Sequence, residues 1–244
     1  MLNLAHRVER LNHTIHLNQE FKADLDWWKQ FLPLWNGSAT FIDSGWVSAD
    51  KLLLSTDASA SIGCGAIYGT KWFNFRWPDW VLKLNPPIAW YELVPIYFSC
   101  MVWGDEWFSK RIEFRSDNQT TVAVWKKFSS PHRGLMELIR RIYFYAAKGN
   151  FTLRISYIAG VENIVADALS RFQMERFRYL VPDASGSPVS IDSNLVELKR
   201  SLLQPQDSEM CSSTIESADC YVPTWLQALE ELTEQEFEGS HLFA

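Results

Sequence analysis

Four acidic residues of this 244-residue chain stand in apolar surroundings. Asp57 ends the run LLLSTDAS, Glu92 lies within IAWYELVPI, Asp117 ends IEFRSD, and Asp167 sits among the aliphatic residues of ENIVADALSR. An isolated acid in such a setting is costly to bury, so a positive group should face it. Acids at the ends of neighbouring strands can converge with acids from covering helices, and four convergent carboxylates cannot all ionise in one place unaided. Oxygen ligands without Cys or His suit Mg²⁺ or Mn²⁺. Two such ions held about 4 Å apart are a standard device for in-line phosphoryl transfer. Taken singly, each acid has a plainer explanation. Asp57 and Asp117 can cap the turn or helix that follows, Glu92 can snorkel from a helix edge, and Asp167 can pair with Arg171 at i+4. Taken together, the four favour a metal site.

The elements that must position these acids are legible in the hydrophobic periodicity. KLLLSTDA, CGAIYG and WFNFRW are short strand-like runs, the first two joined by the turn-forming SASIG. IAWYELVPIYFSCMVWGDEW predicts a buried helix that Pro95 can kink. RIEFRSD follows as a strand, NQTTVAVWKKF and HRGLMELIRRIYFYAAKG as helices, FTLRISYI as a strand and ENIVADALSRF as a closing helix. The order β-β-β-α-β-α-α-β-α predicts an α/β fold, a mixed five-stranded sheet with helices on both faces. Residues 1–50 read as a helical segment, in which Phe21, Leu25, Trp28 and Leu32 recur at packing intervals before Pro33 and Gly37 end the pattern. Residues 51–172 form the domain. Residues 173–244 read as an acidic, largely disordered tail, with a linker from 181 to about 220 and a short helix in VPTWLQALEELTEQEF.

A net charge of −6 would argue against a nucleic-acid partner if it were evenly spread. It is not: residues 108–178 hold 13 Lys and Arg against 6 Asp and Glu, whereas 179–244 hold 2 against 12. Lys126, Lys127, Arg133, Arg140 and Arg141 follow Asp117 on two helices, either as a solvated face or as phosphate contacts. Asn118 and Gln119 either hydrogen-bond a nucleic acid or serve only the first turn of a helix. Cys64, Cys100, Cys211 and Cys220 are too scattered for a disulfide scaffold or a zinc site and are expected as reduced thiols. The opening MLNLAHRVER carries charge where a signal peptide needs an apolar run, and no stretch approaches the roughly 18 apolar residues of a membrane span. An intracellular protein, cytoplasmic or nuclear and without a membrane partner, is the expectation.

The runs STDASASIGCGAIYG, WYELVPI, FRSDNQTTV and YIAGVENIVADALSRF together resemble the ribonuclease H domain of retroelement reverse transcriptases. The likeness is greatest to those of long-terminal-repeat-like and DIRS-like (tyrosine-recombinase) retrotransposons. It covers residues 51 to 172, and its most specific piece is Ala-Asp-x-Leu-Ser-Arg, which closes the domain in that family. The resemblance implies a ribonuclease H-like fold and two-metal hydrolysis of the RNA strand of RNA–DNA hybrids, with two Mg²⁺ ions, or Mn²⁺, and no small-molecule cofactor. Asp57, Glu92, Asp117 and Asp167 occupy the family's four metal positions. By similarity, Asp57 would bridge both ions, Asp167 would serve the ion that activates water, and Glu92 and Asp117 the other.

One departure stands out: ten residues before Asp167, where the family usually carries His on a mobile loop, this chain has Tyr157. A neutral phenol is a poor general base at neutral pH, so the resemblance implies slower turnover. The flanks FKADLDWWKQFLPLWNG and RFQMERFRYLVPD resemble segments bordering this domain in DIRS-like elements, yet no Tyr-x-Asp-Asp polymerase motif is present. The chain thus looks like a retroelement-derived fragment, and the alternative to an enzyme is a catalytically silent nucleic-acid-binding or structural module of the same descent. An integrase needs Glu about 35 residues after its second Asp, and Thr152 stands there. A proofreading exonuclease needs Asp-x-Glu on the first strand, where this chain has Asp57-Ala58-Ser59.

Overall fold

A computed structural model describes residues 19–35, 45–191, 198–199 and 202. The helix expected in VPTWLQALEELTEQEF, most of the expected linker, and Cys211 and Cys220 lie outside the described residues. Helix α1 (Gln19–Phe31) leads by a short 3₁₀ turn to Leu34. Then follow β1 (Trp46–Val47), α2 (Ala49–Leu52), β2 (Leu54–Ala58), β3 (Gly63–Tyr68), β4 (Lys71–Arg76) and α3 (Asp79–Leu84). The chain continues with α4 (Ile88–Trp103), β5 (Arg111–Ser116), α5 (Gln119–Lys127), α6 (Arg133–Lys148), β6 (Thr152–Tyr157), α7 (Ile164–Ser170) and α8 (Met174–Leu180). The protein is a mixed α/β fold.

The expected single five-stranded sheet is instead two three-stranded ladders. β2, β3 and β4 form an antiparallel meander, while β1, β5 and β6 pair in parallel in the order β1-β5-β6. Strand β1 has only two residues, too few for any alternation to announce it. β2 and β5 run close together, but no ladder joins them among the described residues. At the end of this seam the donors turn elsewhere: the Ala58 N–H and the Ser116 hydroxyl both bond the carboxylate of Glu92.

Alternation along β3 divides the interior in two. Cys64 and Ala66 face a large core built from α4, α6 and the inner residues of β5 and β6: Ile112, Phe114, Leu153 and Ile155. Ile67 faces a smaller core with Trp72, Ala168, Leu169 and Phe177, contributed by α7 and α8. Both faces of the meander are therefore helix-covered, which is why β2 and β3 are buried almost throughout. Helix α4 is buried from Ala89 to Cys100 and runs through Pro95, whose carbonyl accepts the Ser99 hydroxyl at 2.7 Å. Cys64 and Cys100 are buried free thiols.

Close packing of α7 depends on one glycine. A Cβ on Gly65 would overlap the Cβ of Leu169 and come within 2.9 Å of its carbonyl carbon and 3.0 Å of the Ser170 nitrogen. Backbone cannot swing aside as a flexible side chain can. Gly65→Ala is expected to lower stability by about 1–3 kcal/mol, the usual range for overpacking. Calorimetric unfolding of the variant measures this, and a midpoint equal to wild type would contradict the packing argument.

Two expectations change at the flanks. Of the expected packing residues of helix α1, Phe21 is half-buried, whereas Leu25, Trp28 and Leu32 are exposed. The helix docks on α6 through Trp27, whose indole N–H donates to the Arg140 carbonyl at 2.9 Å, through Asp24, which pairs with Arg140 at 3.0 Å, and through Phe31 against Phe144. An aromatic donor and an ion pair select this face, and apolar spacing registers neither.

The packed chain also continues beyond residue 172. Phe177 of α8 packs at a tilt against Trp72, and the segment after α8 returns along β4, with Ser185 N–H bonding Thr70 O and Val189 N–H bonding Trp72 O, both at 2.8 Å. Arg178 donates to the carbonyls of Ala184, Ser185 and Gly186. Residues 181–191, expected as linker from their Ser, Pro and Asp content, are held because the outer edge of β4 offers unpaired backbone groups.

Candidate metal centre

Asp57 lies one residue from the end of β2, where the strand has passed between both helical layers, and its residue is only 7% exposed. Glu92 projects from the second turn of α4 and is 3% exposed. Asp117 follows the last residue of β5 and is the most open of the three. One carboxylate oxygen from each lies within 4.8 Å of the others. Gly160 stands beside Asp117, and a Cβ there would come 2.9 Å from its Oδ2.

The donors around this cluster are few and neutral. Asp57 Oδ2 accepts the Ser170 hydroxyl at 2.6 Å, and its Oδ1 receives the Asn163 amide at 3.4 Å. Glu92 Oε2 accepts the Ser116 hydroxyl at 3.1 Å; the same hydroxyl oxygen accepts the Asn118 N–H at 3.2 Å. Burial, reinforced by the charges of Asp117 and Asp167, pushes Asp57 from 3.8 up to about 6, although the Ser170 hydrogen bond opposes this. Burial likewise drives Glu92 well above its ordinary range, with Asp57 and Asp117 adding to the rise. Two buried, mutually repelling carboxylates, without a basic partner in contact among the described residues, form with Asp117 an all-oxygen donor set that fits a hard divalent cation.

Asp167 stands apart from the other three. Its Oδ1 is bonded by Arg171 at 2.6 Å and its Oδ2 by Arg176 at 2.8 Å. Burial alone would raise its pKa, but the hydrogen bonds and charges of these two arginines outweigh it and hold the group below the usual carboxylate range. The positive group that the sequence calls for is thus arginine, and the i+4 pairing with Arg171 is present. Asp167 remains near enough to Asp57 for their charges to interact.

The other anticipated residues lie on α5, on α6 and at the end of β6. Asn118 caps α5, its Oδ1 accepting the Thr121 N–H at 2.9 Å, and Gln119 is exposed in the first turn. Lys126 and Lys127 are exposed in the last turn of α5, and Arg133 begins α6. Arg140 and Arg141 are engaged by Asp24 and Glu137. Tyr157, at the end of β6 opposite Ser116, is 52% exposed.

No family model, curated protein or solved structure matches the chain. The metal-centre reading therefore stands on the geometry above. Sequence reasoning did not single out Ser116, Asn163, Ser170 or Gly160, because small polar residues and glycine near strand and helix ends are ordinary in any sequence. Asn163 carried the one available signal. It opens α7, where Asn usually caps the helix, yet its side chain makes no cap bond and donates instead to Thr56 O at 2.9 Å. Among the described residues no helix is long and apolar enough to cross a membrane.

Proposed function

We propose that this chain is a metal-dependent endonuclease acting on the RNA strand of RNA–DNA hybrids. The observation that carries the reading is the meeting of Asp57, Glu92 and Asp117 at the ends of β2 and β5 beneath α4, together with the motif resemblance that spans the same residues. These three would hold a Mg²⁺ or Mn²⁺ ion. When bound, such an ion supplies Lewis-acid activation of water and charge stabilisation at the phosphate.

The chain's own residues do the rest. Ser116 and the Ala58 N–H orient Glu92, and Gly160 leaves room for Asp117 at the open side of the cluster, where a phosphodiester would approach. Lys126, Lys127 and Arg133 would neutralise backbone phosphates with a salt-dependent affinity, and Gln119 would meet the sugar edge.

The donor set fits one ion. A second ion would need Asp167 released from both Arg171 and Arg176. That engagement favours a second reading, a nucleic-acid-binding module that keeps the fold without turnover.

A labelled hybrid decides between them. The purified protein with Mg²⁺ or Mn²⁺ is expected to cut the RNA strand internally and to leave the DNA strand and a DNA duplex intact. Hybrid that is bound but uncut with both metals would overturn the hydrolase and leave the silent module.

A further inference from the structure

We propose that Ser170 and Asn163 are positioning residues for Asp57, and that Gly65 is the space that lets them reach it. The inference rests on the metal-dependent reading of the same site. Both side chains are sealed from solvent, Ser170 at 0% and Asn163 at 3% exposure, so neither is held there by water.

Among the described residues each oxygen of Asp57 has one donor: Oδ2 takes the Ser170 hydroxyl at 2.6 Å, Oδ1 the Asn163 amide at 3.4 Å. A carboxylate oxygen has two lone-pair sites, so one on each remains for the side shared with Glu92 and Asp117. The two donors come from the two ends of α7, residues 163 and 170, and straddle the carboxylate. They fix its rotation about the Cβ–Cγ bond in a way that one donor could not.

Ser170 has one hydroxyl proton and two acceptors in range, Asp57 Oδ2 at 2.6 Å and the Asp167 carbonyl at 3.0 Å. The charged, closer oxygen takes it. Asn163 adds its bond to the Thr56 carbonyl at 2.9 Å, which locks its amide to the backbone of β2 next to Asp57.

Gly65 completes the arrangement. It is the ladder partner of Asp57 in the β2–β3 pair, and only its missing side chain allows Leu169 and Ser170 to lie on the sheet at this point. The serine of the Ala-Asp-x-Leu-Ser-Arg run thereby acquires a task separate from that of Asp167: it serves the carboxylate on the facing strand.

The test uses the full chain as wild type, Ser170→Ala and Asn163→Ala, with Mn²⁺ affinity read by electron paramagnetic resonance of the free ion, circular dichroism for folding, and steady-state hybrid cleavage. Partners that orient a metal ligand typically change affinity by 10- to 100-fold. Each folded variant is expected to bind Mn²⁺ at least about tenfold more weakly, and to lose kcat while KM for the hybrid stays near wild type. Unchanged Mn²⁺ affinity in folded variants overturns the positioning role, even if their unfolding midpoints fall. Two variants that both fail to fold also overturn it in favour of a structural role. A wild type that binds Mn²⁺ without cleaving hybrid overturns the hydrolase and leaves positioning to be judged on affinities alone. A wild type that takes no Mn²⁺ overturns both.

Discussion

Asp57→Asn is expected to abolish hybrid cleavage while making the metal-free protein more stable above pH 6. Loss of activity follows from removing a carboxylate oxygen from the three-acid cluster. The drop should exceed the roughly hundredfold upper end seen when only the supports of a metal ligand are removed.

The gain in stability follows from burial. Asp57 titrates at about 6 in the folded chain against 3.8 in the open one, so its ionised form is disfavoured by folding. That rise corresponds to roughly 3 kcal/mol at neutral pH, an upper bound on what the neutral amide can recover. Asparagine also satisfies the local hydrogen bonds. Its carbonyl can take the Asn163 amide and its NH₂ can donate to the Ser170 oxygen, whose proton then turns to the Asp167 carbonyl 3.0 Å away. Cleavage assays and thermal unfolding at pH 8 without divalent ions measure both halves. Retained activity would remove Asp57 from the reaction, and a lowered midpoint would show that its charge is compensated in a way the fold does not provide.

The second large effect is a pH-dependent response to Mg²⁺. A carboxyl whose folded pKa is raised contributes stability that is fully present below its unfolded pKa and lost as pH rises through its folded pKa. Asp57 therefore costs the metal-free protein stability progressively between pH 4 and about 6, and Glu92, also raised well above its ordinary range by burial, adds a loss of the same sign as pH rises. Asp167 has the opposite sign. Its arginine partners outweigh its burial and depress its pKa, so its contribution is present above the ordinary carboxylate range and lost only in stronger acid.

A divalent ion that binds the folded chain alone stabilises it by mass action, about 2.7 kcal/mol at a hundredfold excess over its Kd, and it competes with protons for Asp57 and Glu92. The Mg²⁺-induced rise in unfolding temperature should therefore be large at pH 8 and small at pH 5. Calorimetry at both values, with and without Mg²⁺, checks this. An equal rise at both would place the ion somewhere other than these carboxylates.

The sequence alone determined which acids stand in apolar surroundings. Asp57 and Asp117 at strand ends and Glu92 inside an apolar helix were legible because burial is written locally. A period of two or of about 3.6 residues tells which positions face inward, and a charged residue at an inward position stands out. The nine elements around them were legible for the same reason, and β2, β3, β4, α4, β5, α5, α6, β6 and α7 appear in that order.

Tertiary structure alone decided the partners. The division of the strands into two ladders, with β1 beside β5 and no ladder between β2 and β5 among the described residues, the docking of α1 on α6 through Trp27, and the return of residues 181–191 along β4 all depend on groups far apart in the chain. No local period records them. The site divides in the same way. The neighbour that answers Asp167 at four residues' distance, Arg171, was readable as an alternative to metal; Arg176, nine residues away on the next helix, was not. Ser170, 113 residues from Asp57, reaches it only because the facing Gly65 has no side chain. A sequence records which groups need partners, and packing in three dimensions determines which partners they receive.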